Sequence, residues 1–291
     1  MAAEHPPTSG TGSGSLTTRS GRVKAARRLT RRAVRQGHRL FLAEGAKALG
    51  EALAVPGCVV EVFATAEASA SCAPLRDAVV QAGLRWQYAD EPAVASLSGT
   101  VTPQGVVAVC RYVDVALETL LHADDSGDPD PDGTGPRTIA ICADVRDPGN
   151  AGTIIRTADA AGARAVVLAG HSVDPYNDKT VRATVGSLFH LPLVVEAEPT
   201  SAVRALQGAG WTVLAADGHG EADLFDAGDL LDGRVAWLFG NEAWGLPPEL
   251  AALADHRVAI PILGRAESLN LATAAAVCLY ASAAAARAAG R

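Results

Sequence analysis

"DVRDPGNAGTIIRTADAAG", residues 144–162, decides the reading of the fold. It follows the strand-like run "RTIAICADV" and opens a helix, which is where a dinucleotide-binding sheet carries its glycine-rich phosphate turn. The G-x-G-x-x-G spacing is missing. Asn150, Gly152 and Arg156 stand there instead, so a nicotinamide-type dehydrogenase is excluded and a different ligand chemistry is required at the same topological place.

Outward from this stretch, strand and helix alternate to the end of the chain. "RAVVLAG", "PLVVEAE", "WTVLAAD", "VAWLFG" and "HRVAIPI" read as strands, "KTVRATVGSLFH" and "SAVRALQGAG" as helices, and a long Ala-rich helix starts near Leu269. Near-continuous apolar strands between helices predict an α/β fold with a parallel sheet covered on both faces. Towards the N-terminus, "LHADDSGDPDPDGTGPR" (121–137) holds five Asp, three Pro and three Gly without periodicity, so it reads as an acidic linker. Before it, "LFLAEGAKALGEAL" (40–53) and "PLRDAVVQAG" (74–83) read as helices, and "CVVEVFAT" (58–65) and "GVVAVCRYV" (105–113) as strands, which together make a small α/β unit. The expected layout is a tail over 1–21, a first domain over 22–120, the linker, and a second domain over 138–291.

The chain has 291 residues and a formal charge of -7, with 32 acidic and 25 basic side chains. Nine of those Lys and Arg fall between Arg19 and Arg39, a stretch without any acid. Val23, Ala26, Leu29 and Ala33 recur there at helical spacing. Arg22, Lys24, Arg27, Arg28, Arg31, Arg32 and Arg35 then fan over the remaining surface, which suits a helix laid on phosphates. A solvated basic face, or an arm paired with the acidic body, is the plainer alternative. Five cysteines without metal or redox spacing read as small buried apolar residues. The polar start of the chain lacks a secretory pattern and no apolar run approaches a bilayer span, so a cytoplasmic protein is expected.

Ligands of such sheets gather beyond the strand carboxyl ends. Polar residues cluster in the loops there: Asn150 and Arg156 in the opening stretch, Asn241 and Glu242 in "LFGNEAWGL" (238–246), and Ser268 and Asn270 in "IPILGRAESLNLATAAAV" (260–277). Taken singly, Asn150 and Ser268 are candidate helix caps, Arg156 a surface charge and Glu242 a residue suited to a helix N-terminus. Their coincidence at strand ends favours a site.

These motifs, in this order over about 139–280, resemble those of the SpoU (TrmH-type) RNA ribose 2′-O-methyltransferases of the SPOUT class. The segment 22–113 is similar to that family's small substrate-binding domain, and the whole layout to its ribosomal RNA methyltransferases, the thiostrepton-resistance type among them. The resemblance implies a C-terminal domain closed by a deep trefoil knot, where bottom-up reading alone predicts an open doubly wound sheet. It implies S-adenosylmethionine as cofactor, held by Leu214, Ala215 and Ala216, by Phe239, Gly240, Asn241 and Gly245, and by Ile260, Ile262, Ser268 and Leu269. It implies that Arg156 binds the RNA phosphate and either takes the hydroxyl proton or stabilises the developing alkoxide, while Asn150, Glu242, Ser268 and Asn270 position substrate and cofactor. It also implies a homodimer through the knotted domain. No metal is called for, and the histidines offer no ligand cluster. The separate N-terminal domain favours 23S ribosomal RNA over transfer RNA as substrate. A silent RNA-binding assembly factor is the alternative of a different class.

Overall fold

A computed structural model describes residues 14–125, 138–196 and 198–290. The first unit begins at Leu16, which bridges to Ala89, so the described part of the expected tail is already docked. Two short helices follow, α1 (Gly21–Arg27) and α2 (Arg32–His38), joined by a 3-10 turn over Arg28–Thr30. Val23, Ala26 and Leu29 are buried as their spacing predicts, but the single helix is broken and Ala33 is exposed. Beyond them come β1 (Leu40–Glu44), α3 (Ala46–Ala54), β2 (Val59–Ala64), α4 (Ala66–Ser71), α5 (Ala73–Gln81), β3 (Arg85–Tyr88), α6 (Glu91–Ala95) and β4 (Val106–Arg111). Their sheet has the order β1-β4-β2-β3, with β2 and β3 parallel and the other pairs antiparallel. Leu40–Glu44 is thus a strand and not the first half of a helix. Its pairing with β4 and the burial of Phe41, Leu42 and Ala43 on both faces override the local helical pattern.

The second unit recruits chain earlier than composition suggests. β5 (Asp114–Val115) pairs with a strand of the second sheet, and Leu117 and Leu120 of α7 (Leu117–Asp125) lie in that sheet's core. The boundary therefore falls near residue 113. Most of the predicted acidic linker, 126–137, lies outside the described residues. Then come β6 (Thr138–Ala143), α8 (Pro148–Ala160), β7 (Ala165–Ala169), α9 (Asp178–Thr184), β8 (Leu193–Glu196), α10 (Pro199–Gly208), β9 (Thr212–Ala216), β10 (Ala222–Asp223), β11 (Val235–Phe239), α11 (Pro248–Ala251), β12 (His256–Ala259) and α12 (Leu271–Ala288). The eight strands run in the order β10-β12-β9-β11-β6-β7-β8-β5, every pair parallel. All residues of β7 and β11 are buried, as a sheet covered on both faces requires. From β6 the chain builds outward to β7 and β8, then returns to the other side for β9 and β11. The crevice at the β6–β11 carboxyl ends is therefore a topological switch point.

By length and composition α12 could cross a membrane, which the sequence reading excluded for every segment. Here it lies on α8 and β11, and the Trp237 indole donates to Ser282 Oγ at 2.9 Å, so it covers the sheet. The two units share a single core. Phe41 of β1 packs on Tyr176 (4.8 Å between centroids), and Tyr112 stacks on Tyr176 at 3.7 Å. The Tyr176 hydroxyl accepts from the amides of Val113 and Asp114 and donates to Asp114 Oδ1.

Candidate active site

The carboxyl ends of β6 and β11 carry two turns that meet. After β6, Asp147 caps α8 by accepting from the Asn150 amide at 2.7 Å, so Asn150 is released from the capping role open to it in the sequence. After β11, Asn241 and Gly245 exchange backbone hydrogen bonds of 2.9 and 3.0 Å, closing a tight loop that projects Glu242, Ala243 and Trp244. Gly240 is obligatory at its base, since a Cβ there would lie 2.3 Å from the Gly245 carbonyl carbon. The Asn241 side chain ties this loop to the first turn by donating to the Asp144 carbonyl at 2.7 Å.

Glu242 then reaches α8. Its carboxylate accepts from the amides of Arg146 (3.2 Å) and Asp147 (3.0 Å) and from Asn150 Nδ2 (3.2 Å). Partial burial alone would raise its pKa, but these donors and its own amide outweigh that and hold the carboxyl below the usual range. A carboxylate saturated in this way is a poor base, and it acts by orienting Asn150. Asn150 Oδ1 in turn accepts from Asn270 Nδ2 at 3.1 Å, and Asn270 caps α12 by accepting from the Ala272 and Thr273 amides. The last helix therefore starts at Leu271, with Asn270 rather than Ser268 as its cap.

Three of the expected residues, Asn150, Glu242 and Asn270, are thus hydrogen-bonded into one network. Arg156 is not part of it. Six residues further along α8, it stands roughly 9 Å along the axis and about 120° round, exposed and without an ion pair among the described residues. Ser268 is exposed in the loop between β12 and α12, as are Ile262 and Leu269. Leu214, Ala215 and Phe239 are buried strand residues, so they have only backbone to offer a ligand. A cleft of about 470 Å³ opens between the loops after β9 and β11, lined by Ala216, Asp217, Trp244, Gly245, Leu246 and Arg257 among others. The 260–270 loop lies outside this lining, although Ile260 packs on the core.

The basic helices answer the sequence reading in part. Arg22, Lys24, Arg27, Arg28, Arg31 and Arg32 are exposed, Arg22 facing Glu61 at 3.5 Å. Arg35 is turned inward, a correction to its expected place on the RNA-facing surface. It donates to Asp174 at 2.6 and 3.1 Å and to the Leu29 and Thr30 carbonyls, because the break at Arg31 rotates α2 against the second unit. Cys58, Cys110, Cys142 and Cys278 are buried, Cys72 only half-buried. Burial pushes the Cys142 thiol, at the end of β6, up to about 12, so it stays protonated.

Residues 137–280 match the SpoU rRNA Methylase family, and residues 21–108 match the MRM3-like substrate binding domain. The 23S rRNA (guanosine(2553)-2′-O)-methyltransferase RlmP of Bacillus subtilis is 33% identical over 259 residues, covering 89% of this chain and 94% of that protein. The chain belongs to the SpoU rRNA methylase family. The structure of an AdoMet-bound rRNA methyltransferase from Sinorhizobium meliloti superposes with a TM-score of 0.76 at 32% identity, over 92% of this chain and 95% of that one. The AdoMet complex of the SpoU methyltransferase AviRb from Streptomyces viridochromogenes gives 0.76 at 29%, over 91% and 98%. The cleft beside the network suits this family's cofactor. Its lining joins apolar Ala216 and Leu246 to glycines whose missing side chains open onto free space, Gly218 and Gly245, which leaves backbone groups accessible to an adenosine.

The motif residues were legible because each is a polar side chain at a strand end. The roles of Asp147 and Asn241, which fix the two turns, were missed. Asp147 stands three residues before Asn150, a spacing typical of a cap, and was available as a signal.

Proposed function

We propose that this protein methylates a ribose 2′-hydroxyl of 23S ribosomal RNA in the cytoplasm, using S-adenosylmethionine. The observation that carries the reading is the Asn150–Glu242–Asn270 network, in which residues from all three motifs converge at the switch point beside a nucleoside-sized cleft. Bound S-adenosylmethionine supplies an electrophilic methyl group. The cleft lined by Ala216, Gly245 and Leu246 would hold it, with its methyl group available to the ribose oxygen. The chain's part is to align the oxygen and to stabilise its developing charge. Arg156, which has no carboxylate partner among the described residues, serves as phosphate clamp and alkoxide partner. Guanidinium groups stay protonated in proteins, which favours stabilising negative charge over taking a proton.

Arg156 stands apart from the network within one chain, and α8 and α12 pack together with Arg156, Thr273 and Tyr280 exposed on their outer sides. Leu263 of the 260–270 loop is 89% exposed. A homodimer that covers this face would bring a second copy to the site, and knotting of the C-terminal domain belongs to the same reading.

Purified protein with labelled S-adenosylmethionine should methylate ribosomal RNA at a 2′-oxygen. Single-turnover transfer should fall about 10²- to 10³-fold in Arg156→Ala, with cofactor affinity unchanged and no rescue by Arg156→Lys. Light scattering on both preparations should give twice the 29.7 kDa chain mass. A fully active Ala variant, or a monomer, would count against the assignment.

A further inference from the structure

The loop that holds Glu242 also carries a side chain the network does not use. Trp244 is 53% exposed, whereas Trp211 and Trp237 are buried and the Trp86 indole is bonded to Ser69. The Arg146 guanidinium lies over the Trp244 ring, 5.0 Å from its centroid. Arg146 is itself exposed and has no carboxylate among the described residues, in contrast to Arg35, Arg39 and Arg182. Both residues are fixed at the backbone, not at the side chain. The Arg146 amide donates to Glu242, and Trp244 sits inside the loop closed by Asn241 and Gly245.

An exposed indole and an uncommitted guanidinium, carried by the two turns that Glu242 ties to Asn150, match the chemistry that captures a splayed nucleotide. Bases stack on aromatic or guanidinium planes, and Arg takes phosphate oxygens through its planar fork. A solvent-exposed cation–π contact is weak, so a phosphate readily draws the guanidinium off the ring and frees a stacking face.

We propose that Arg146 and Trp244 form a nucleotide clamp at the mouth of the site, with an unpaired RNA base on the indole and an adjoining phosphate on the guanidinium. The proposal rests on the reading of the chain as an RNA 2′-O-methyltransferase. It assigns to these two residues the grip on the target nucleotide or its neighbour, and leaves affinity for the rest of the RNA to the basic helices.

The test uses full-length protein and ribosomal RNA, with the variants Arg146→Ala, Arg146→Lys, Trp244→Phe and Trp244→Ala. Affinity for RNA should weaken about 10-fold or more in Trp244→Ala and Arg146→Ala, with partial recovery in Trp244→Phe, which keeps a stacking face. The loss should appear mainly in KM for RNA. Because Trp244 also lines the cofactor cleft, S-adenosylmethionine affinity is measured in parallel, and Arg146→Ala, which leaves that lining intact, should not change it. Added RNA should shield Trp244 from acrylamide quenching, read as the difference between wild type and Trp244→Phe. Wild-type affinity for RNA in both Ala variants would overturn the clamp. So would loss of the dimer with unchanged RNA binding, which would make Trp244 part of a contact between copies. A wild-type protein that neither binds nor methylates RNA would instead sink the methyltransferase reading itself.

Discussion

Glu242 shows how a residue singled out for chemistry can serve by position. Three donors converge on its carboxylate and lower its pKa, so its stabilising contacts are fully formed above the ordinary carboxylate range. They are lost as the pH falls through the depressed folded value. The amide resonances of Arg146 and Asp147 should therefore hold steady from neutral pH down through the ordinary carboxylate range and shift together only on further acidification. In Glu242→Gln the step should vanish, because a carboxamide carries no proton that titrates in this range. A step persisting in that variant would show that another group carries the titration.

At the scale of elements, the contact between α2 and the loop after β7 decides how the two units sit. Arg35 and Asp174 are 5% and 8% exposed, and the carboxylate also accepts from the Tyr176 amide. Removing one partner of a buried pair leaves the other charge uncompensated, so Arg35→Ala should cost about 3–5 kcal/mol in denaturant unfolding. Arg35→Met combined with Asp174→Asn should recover much of it, since neither charge then remains and the amide oxygen can still accept from Tyr176. Equal losses in the single and double variants would mean that packing, not charge, holds the latch. Helix packing shows the same dependence on partners. Gly152 lets α8 approach α9 so closely that a Cβ would fall 2.4 Å from that of Ala183, a contact the strand-to-helix pattern alone does not reveal.

For the whole molecule, RNA capture by an acidic chain turns on where its basic charge is displayed. Val23, Ala26 and Leu29 fix α1 and the following turn in the core, so truncation through residue 39 would open the first unit rather than remove an appendage. Replacing the exposed Arg27, Arg28, Arg31 and Arg32 by Gln keeps that core. Such a variant should bind RNA more weakly, and its log–log salt slope should flatten by roughly 0.7 to 0.9 per lost contact. An unchanged slope would leave these residues as a solvated face and shift RNA binding to other surfaces.

The sequence by itself determined the alternation of strands and helices, the burial of the second sheet on both faces, and the polar residues at its strand ends. Each follows from local periodicity or from a turn within a few residues. Tertiary structure decided that Leu40–Glu44 is a strand, that Asp114–Val115 joins the second sheet, and that Arg35 faces inward. In each of these the partner lies far along the chain: β4 for the first, β8 for the second, Asp174 for the third. The same holds within the site, where 92 residues separate Asn150 from Glu242 and 120 separate it from Asn270. Local pattern fixes which residues lie at a strand end, but only the order of strands in the sheet fixes which strand ends are neighbours.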